Sequence, residues 1–275
     1  MWVIEQGGYK GEFEAWDRGA QFGDGLFETI LVRNSTPKQL SLHIKRLVKG
    51  LEQLSINVVG LDFESIILNS IEELCLNSQV KNGVYKIIVN RGLSNRGYGY
   101  SSDIKPNITS LFSHLPEINL ANYKNGIALK LCKTHCAIQP ELAGLKHLNR
   151  LENVLAKQEL NEQFEGLMFN YLGFAIEGTM SNVFFEKNDQ LYTPLLNLSG
   201  VEGIMRTIVF EDAKKNSIPI DMINISKEKL ENFESGFICN SIFGIIPINQ
   251  LGNRKFVIGP ITKQVQNINT IEIFK

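Results

Sequence analysis

Residues 143–152 read AGLKHLNRLE, and the stretch continues NVLAKQELNEQ to residue 163. Leu148, Leu151, Val154, Leu155 and Gln158 fall on one side, with Glu, Lys and Gln elsewhere, so the spacing predicts an amphipathic helix over 148–163. Lys146 sits between a turn and that helix, which is amphipathic without it. Leu145 and Leu148 flank it and put its ammonium near apolar surface. A desolvated lysine gives up its proton more easily and becomes a nucleophile toward carbonyls. The alternative is a lysine that snorkels at a helix start.

Working outward, the chain mixes strand and helix signals on both sides of this stretch. LFETILVR (26–33) is β-branched and apolar and follows the Gly23-Asp24-Gly25 turn, as a strand does. In 41–54, Ile44, Leu47, Val48, Leu51 and Leu54 recur at helical spacing, with Ser41 as candidate cap. A second helical pattern covers about 63–77. GVYKIIVN (83–90) reads as a strand, 91–102 as a Gly- and Arg-bearing loop, and a strand follows near 108–115. The polar run PEINLANYKN (116–125) marks a domain boundary: residues 1–117 form a small N-terminal domain, 118–125 a linker, and 126–275 a larger C-terminal domain. In the latter, 126–134 alternates like a strand and 166–185 looks like two or three short strands. Asn188-Asp189 turns into a strand at 190–193, Gly203 opens a helix to about 216, and GFICN (236–240) precedes an apolar stretch interrupted by Gly and Pro. This mixture predicts a two-domain α/β or α+β fold, not a sandwich or a bundle.

Composition excludes several classes. Hydrophobic residues make up 43% and charged residues 21% of 275, enough apolar material to bury a core without staples. With 28 Lys+Arg against 29 Asp+Glu, the near-neutral balance argues against nucleic acid or an anionic membrane as main partner. Four cysteines (Cys75, Cys132, Cys136, Cys239) make neither a disulfide framework nor a zinc site, and read as small apolar residues of a reducing compartment. MWVIEQGGYK carries no basic segment followed by an apolar one, and no run is long enough to span a membrane. The expected location is the cytoplasm, with no metal.

Beyond Lys146, a few residues stand where chemistry is plausible. Glu177, in AIEGTMSNVFF, is a carboxylate at a strand end beside Gly178, where a planar ligand can approach closely; an ordinary turn is the alternative. GVEGIMRT (200–207) puts two glycines before a helix whose N-terminal N–H groups suit phosphate, or simply start the helix. Arg46 lies opposite the Ile44/Leu47/Leu51 stripe, facing solvent or something anionic. Arg91 and Arg96, in RGLSNRGYGY, suit bidentate capture of a carboxylate, or are ordinary surface charges.

Taken in order, QFGDGLFETI, the His43-x-x-Arg46-Leu47 run, LKHLNRLENVLA, EGTMSN, Thr193-Pro194 and GVEGIMR resemble the fold-type IV pyridoxal-phosphate enzymes. That group holds branched-chain aminotransferases, D-amino-acid aminotransferases and 4-amino-4-deoxychorismate lyases. The resemblance spans about residues 5–250. AGLKHLNRLE, RGLSNRGY and GVEGIMR are similar to the bacterial lyases rather than to the aminotransferases.

The resemblance implies a D-amino-acid-aminotransferase-like fold and pyridoxal 5'-phosphate as cofactor. Lys146 matches the Schiff-base lysine, which places that lysine in the C-terminal domain. Glu177 matches the acid on the pyridine nitrogen, and Arg46 the phosphate-binding arginine. The N–H groups of Ile204 and Met205, with Asn240 and Ser241, fall where the rest of the phosphate cup lies, and Arg96 and Tyr98 in the loop that holds substrate carboxylate. A homodimer is implied too. One departure stands out: the aminotransferases usually place a tyrosine shortly after the lysine, and here Asn149, Arg150 and Leu151 follow, which leaves Arg150 as a candidate partner for the cofactor's phenolic oxygen. The implied activity is elimination of pyruvate from aminodeoxychorismate to give 4-aminobenzoate for folate biosynthesis. The rivals are a D-amino-acid or branched-chain aminotransferase, and a catalytically silent binding protein on the same scaffold.

Overall fold

The structure, a computed structural model, describes residues 2–4 and 14–274 and divides into two compact units. The first comprises Met1–Pro116 and Leu145–Asn149; the second comprises Glu117–Gly144 and Arg150–Lys275. Residues 5–13, part of the Gly-rich start of the N-terminal domain, lie outside the described residues.

In the first unit, chain order runs β1 (Trp2–Ile4), α1 (Arg18–Phe22), β2 (Gly25–Arg33), β3 (Thr36–Pro37), α2 (Leu40–Gln53), α3 (Phe63–Ser78), β4 (Gly83–Asn90) and β5 (Asn107–Ser113). The strands form one sheet in the order β1-β5-β4-β2-β3. β2 and β4 run antiparallel, with Phe27 opposite Ile88 and Thr29 opposite Lys86. Period-two alternation divides β2 between two faces. Leu26, Glu28, Ile30 and Val32 are buried on the face packed by α2, while Phe27 and Thr29 stand half-buried on the other. α3 starts on Asp62, whose Oδ1 accepts from the N–H groups of Glu64 and Ser65 at 3.1 and 3.2 Å, and buries Phe63, Ile67, Ile71 and Leu74. Ser41 is not the cap of α2. The tight β2–β3 hairpin closes with Lys38 N–H donating to Leu31 O (2.8 Å), so the helix starts at Leu40 on a left-handed Gln39, and Ser41 is an exposed residue inside it.

The second unit runs α4 (Ala121–Asn125), β6 (Ile127–Cys136), α5 (Leu151–Gln158), β7 (Glu165–Asn170), β8 (Phe174–Gly178), β9 (Asn182–Lys187), β10 (Gln190–Pro194), α6 (Ile204–Lys215), β11 (Ile220–Ile223), β12 (Ile225–Ser226), α7 (Lys227–Leu230), β13 (Ser235–Asn240), β14 (Gly244–Leu251), β15 (Arg254–Lys255) and α8 (Pro260–Phe274). Its sheet has the order β11-β10-β9-β13-β14-β6-β7-β8-β12, with β15 paired to β14. Alternate residues of the central strands enter two cores. Val183, Phe185, Ile238 and Ile246 pack in one, and Phe184, Phe237, Cys239 and Ile245 in the other, which Val209 of α6 and Val265 of α8 complete. Burial on both faces explains why FICN and the interrupted run after it read as continuous apolar stretches; the latter is β14.

Three expectations are corrected. Residues 118–125 are no free linker, because α4 is anchored in the second unit: Tyr123 Oη donates to Phe243 O and Gln266 Nε2 to Tyr123 O, both at 2.7 Å. Leu145–Asn149 joins the first unit rather than the C-terminal domain, because its backbone adds a short ladder to β2. Phe27 N–H donates to Lys146 O and Leu148 N–H to Gly25 O, both at 3.0 Å. That ladder delays the predicted helix, so α5 begins at Leu151 and ends at Gln158. Its inward contact is Ala156, with Leu160 beyond, packed among Cys132, Cys136 and Met168, whereas the stripe of Leu151, Val154 and Leu155 faces outward and is more than half exposed.

Candidate active site

In the first unit, Lys146 lies beside β2 with its Nζ 4.3 Å from the centre of the Phe27 ring. The next residue of the strand, Glu28, points to the opposite face and is 1% exposed. Its carboxylate accepts from Arg46 Nε (2.7 Å to Oε1), from Arg46 Nη2 (2.5 Å to Oε2) and from His43 Nδ1 (2.6 Å to Oε2). The anionic feature that Arg46 faces is therefore Glu28. Burial pushes the Glu28 carboxyl up, but the Arg46 charge and the hydrogen bonds from His43 and Arg46 outweigh it and hold it at about 2. Burial dominates at His43 and pushes the imidazole down against the pull of Glu28, so the ring is neutral at pH 7 and donates through Nδ1–H. Its Nε2 is buried and carries no hydrogen bond. The contact is thus a neutral-to-ion hydrogen bond rather than an ion pair.

The arginines of the 91–100 loop divide sharply. Arg91 is buried and its donors are spent on Asp24 (2.8 and 3.0 Å), Ser55 O (2.8 Å) and Leu54 O (2.7 Å). It is a structural residue, not a carboxylate trap. Arg18 fastens the loop by donating to Tyr98 O (2.8 Å) and Ser94 Oγ (2.9 Å). Arg96 and Tyr98 are exposed, and the Tyr98 ring leans on Phe22 with centroids 5.3 Å apart.

In the second unit, the structure brings together Glu177, the start of α6 and the turn after β13. Glu177 is 4% exposed, and its Oε2 accepts Val201 N–H at 2.7 Å. Gly200 has φ +88°, and a Cβ there would lie 2.7 Å from Ile176 Cγ2, so only glycine lets the segment pass the Glu177 strand. Asn182 Nδ2 donates to Val201 O (2.9 Å), while its Oδ1 lies 2.0 Å from where a Gly203 Cβ would be. Gly203 is the cap residue of α6 and supplies no side-chain acceptor to the first turn, where Ile204 and Met205 stand. Asn240 uses its side chain on the fold: Oδ1 accepts from Ile242 and Phe243 N–H, both at 2.9 Å, and Nδ2 donates to Met180 O at 3.0 Å. The Asn240 amide is thereby committed to shaping the turn after β13.

The EGTMSN turn is itself built on a residue that spacing did not single out. Glu165, fully buried on β7, accepts from Thr179 N–H (2.8 Å), Thr179 Oγ1 (2.5 Å), Met180 N–H (3.2 Å) and Ser181 Oγ (2.9 Å). Glu28 was equally unmarked. The signal for it was an acid flanked by Leu26 and Ile30 on the apolar side of an alternating strand. The four cysteines are buried free thiols, and burial pushes Cys132 and Cys239 up to about 12, which keeps them protonated and inert.

Residues 25–251 match the family described as Amino-transferase class IV. The chain is 32% identical to the aminodeoxychorismate lyase of Vibrio harveyi, covering 92% of this chain and 94% of that one. It is 29% identical to the D-alanine aminotransferase of Bacillus licheniformis, over 91% and 88%. The crystal structure of 4-amino-4-deoxychorismate lyase from Pseudomonas aeruginosa superposes with a TM-score of 0.89 at 34% identity, over 96% and 97%. The fold is thus that of the fold-type IV aminotransferases and lyases, as the motifs implied, and the chain belongs to the class IV amino-transferase family.

Proposed function

We propose that the protein is a pyridoxal-phosphate-dependent aminodeoxychorismate lyase, which eliminates pyruvate from 4-amino-4-deoxychorismate and releases 4-aminobenzoate for folate biosynthesis. The observation that carries the reading is the donor set of the second unit. A helix start without a side-chain cap suits a phosphate, and the buried Glu177 carboxylate, fixed by Val201 N–H, suits a protonated pyridine nitrogen. Similarity to lyases at 32% and 34% identity, against 29% for the D-alanine aminotransferase, favours elimination over amino transfer.

When bound, the cofactor supplies an electron sink for the carbon that bears the substrate's amine. Lys146 is the residue that would hold it covalently. Lys146 is also the base that takes the proton from the amine-bearing ring carbon. The C–O bond to the enolpyruvyl group breaks, pyruvate leaves, and the ring becomes aromatic, which makes the elimination strongly downhill. Glu177 would keep the pyridine nitrogen protonated. Arg46, Ile204, Met205 and the Asn240-Ser241 turn would hold the phosphate. Arg96, with Tyr98, takes a substrate carboxylate. The outward stripe of Leu151, Val154 and Leu155 supports a homodimer, in which a second copy of the chain covers it. No helix among the described residues is long and apolar enough to cross a membrane, and the buried free thiols fit a cytoplasmic protein.

The test is a product assay on enzymatically generated aminodeoxychorismate. Pyruvate and 4-aminobenzoate should appear without an amino acceptor, and Lys146→Ala should fall to background. A requirement for a keto acid, with the amino group retained on the cofactor, would establish the aminotransferase instead.

A further inference from the structure

In the first unit, the segment 94–100, which carries Arg96 and Tyr98, is folded around one guanidinium. Arg18, the first residue of α1, is 4% exposed. Its Nη2 donates to Tyr98 O at 2.8 Å, and its Nη1 is shared among Ser94 Oγ at 2.9 Å and the carbonyls of Gly97 and Gly99, each at 3.3 Å. Three consecutive carbonyls therefore converge on a single cation. Its Cζ lies 5.0 Å from the centre of the Phe22 ring and 5.4 Å from that of Tyr100, so α1 and the loop each lend it an aromatic ring. Its Nε reaches back to Asp24 Oδ2 at 2.7 Å. The start of the loop is tied to the same region, with Ser94 N–H donating to Trp16 O (3.2 Å) and Arg18 N–H to Gly92 O (2.9 Å).

Packing is sparse at the tip of this loop. Arg96 and Tyr98 are exposed, and a Cβ at Gly97 or Gly99 would meet no other atom within 4 Å. A tip with two glycines in open space has many conformations to lose. Charge-assisted hydrogen bonds from a planar fork select one of them. A loop already in its binding conformation spares the ligand the cost of ordering it.

We propose that Arg18 is a positioning residue for substrate recognition: by gripping the carbonyls of Gly97, Tyr98 and Gly99, it presets the loop that aims Arg96 at a substrate carboxylate. The assignment rests on the lyase reading, in which Arg96 and Tyr98 take that carboxylate. Arg18 acts through the loop backbone rather than by contact with substrate. Asp24 keeps Arg91, at 2.8 and 3.0 Å, when Arg18 is replaced. Removing the guanidinium therefore strands no carboxylate, and the fold survives the test.

The test compares wild-type, Arg18→Met and Arg18→Lys holoenzymes. Cofactor absorbance and urea midpoints establish that each folds and loads. Met keeps an apolar stem between Phe22 and Tyr100 and removes every donor; Lys keeps the charge and loses the fork. Expected in Arg18→Met are a KM for aminodeoxychorismate raised about tenfold and a kcat changed less than about twofold, with partial recovery in Arg18→Lys. A double-mutant cycle asks more: in an Arg96→Ala background, Arg18→Met should add less than about twofold to KM, because both act through one contact. A further readout needs no turnover. Trypsin cleavage after Arg96, followed by mass spectrometry, should run about tenfold faster in Arg18→Met. If Arg18→Met does not fold, Arg18→Lys carries the same comparisons, with a KM raised about threefold expected. Unchanged KM in a loaded variant, multiplicative KM effects in the cycle, or unchanged cleavage after Arg96 each overturns the assignment while leaving the lyase standing. If wild type itself releases no pyruvate, the lyase reading fails and this assignment falls with it.

Discussion

Glu28 and Arg46 form a two-pronged pair across the interface of β2 and α2, with Nε–Oε1 and Nη2–Oε2 distances of 2.7 and 2.5 Å around a carboxylate that is 1% exposed. The phosphate-matching arginine is thus held in a fixed orientation by an acid on the adjoining strand. Replacing one partner strands the other charge, so Glu28→Gln should destabilise the protein by about 3 kcal/mol at pH 7, measured by urea unfolding. An unchanged midpoint would mean that solvent reaches Arg46 freely enough to replace the carboxylate.

The same pair has a pH signature. The Glu28 carboxyl drops from an ordinary 4.5 to about 2 on folding. A depressed carboxyl stabilises the fold in full above the unfolded value and loses that contribution as pH falls through the folded one. The window is therefore pH 4.5 down to 2, and the contribution is roughly 3 kcal/mol. Urea midpoints recorded through that window should fall steeply for wild type and less for Glu28→Gln.

Glu165 should act on cofactor retention without touching the cofactor. It collects donors from Thr179, Met180 and Ser181 and so shapes the turn that follows Glu177. In Glu165→Gln the amide's NH2 group replaces a carboxylate oxygen and faces donors. Expected are a stability loss of about 2 kcal/mol and faster loss of visible absorbance on dialysis. Stable absorbance in a destabilised variant would limit Glu165 to the fold.

Gly203→Ala should separate helix formation from phosphate binding. The new Cβ would meet Asn182 Oδ1 at 2.0 Å, so the start of α6 or the Asn182 amide must shift. Helix content by circular dichroism should hold, while pyridoxal-phosphate affinity falls by about tenfold. Unaltered affinity would remove the α6 N-terminus from the phosphate site.

Arg96→Ala should raise KM for the dianionic substrate by about tenfold and leave cofactor loading intact. If only loading suffers, Arg96 belongs to the cofactor instead.

Much of this was readable along the chain. The alternation in LFETILVR and GVYKIIVN located β2 and β4, since strand periodicity is local and each strand needs only its own residues to show which side is apolar. The order of short motifs around Lys146, Glu177 and Gly203 named the family and the residue types its chemistry needs. Spacing did not disclose where Lys146 would fold. Five residues, Leu145–Asn149, leave the chain's second half to pair with β2, and backbone ladders between distant segments leave no periodic mark. Nor did it separate Arg91 from Arg96, which look alike in RGLSNRGYGY. Asp24 and the carbonyls of Leu54 and Ser55 bury one, and the other stays at the surface. Residue chemistry and local pattern are properties of neighbours in sequence, whereas which charge is spent on the fold, as Arg46 is on Glu28, and which stays at the surface is decided only when remote strands and helices close around it.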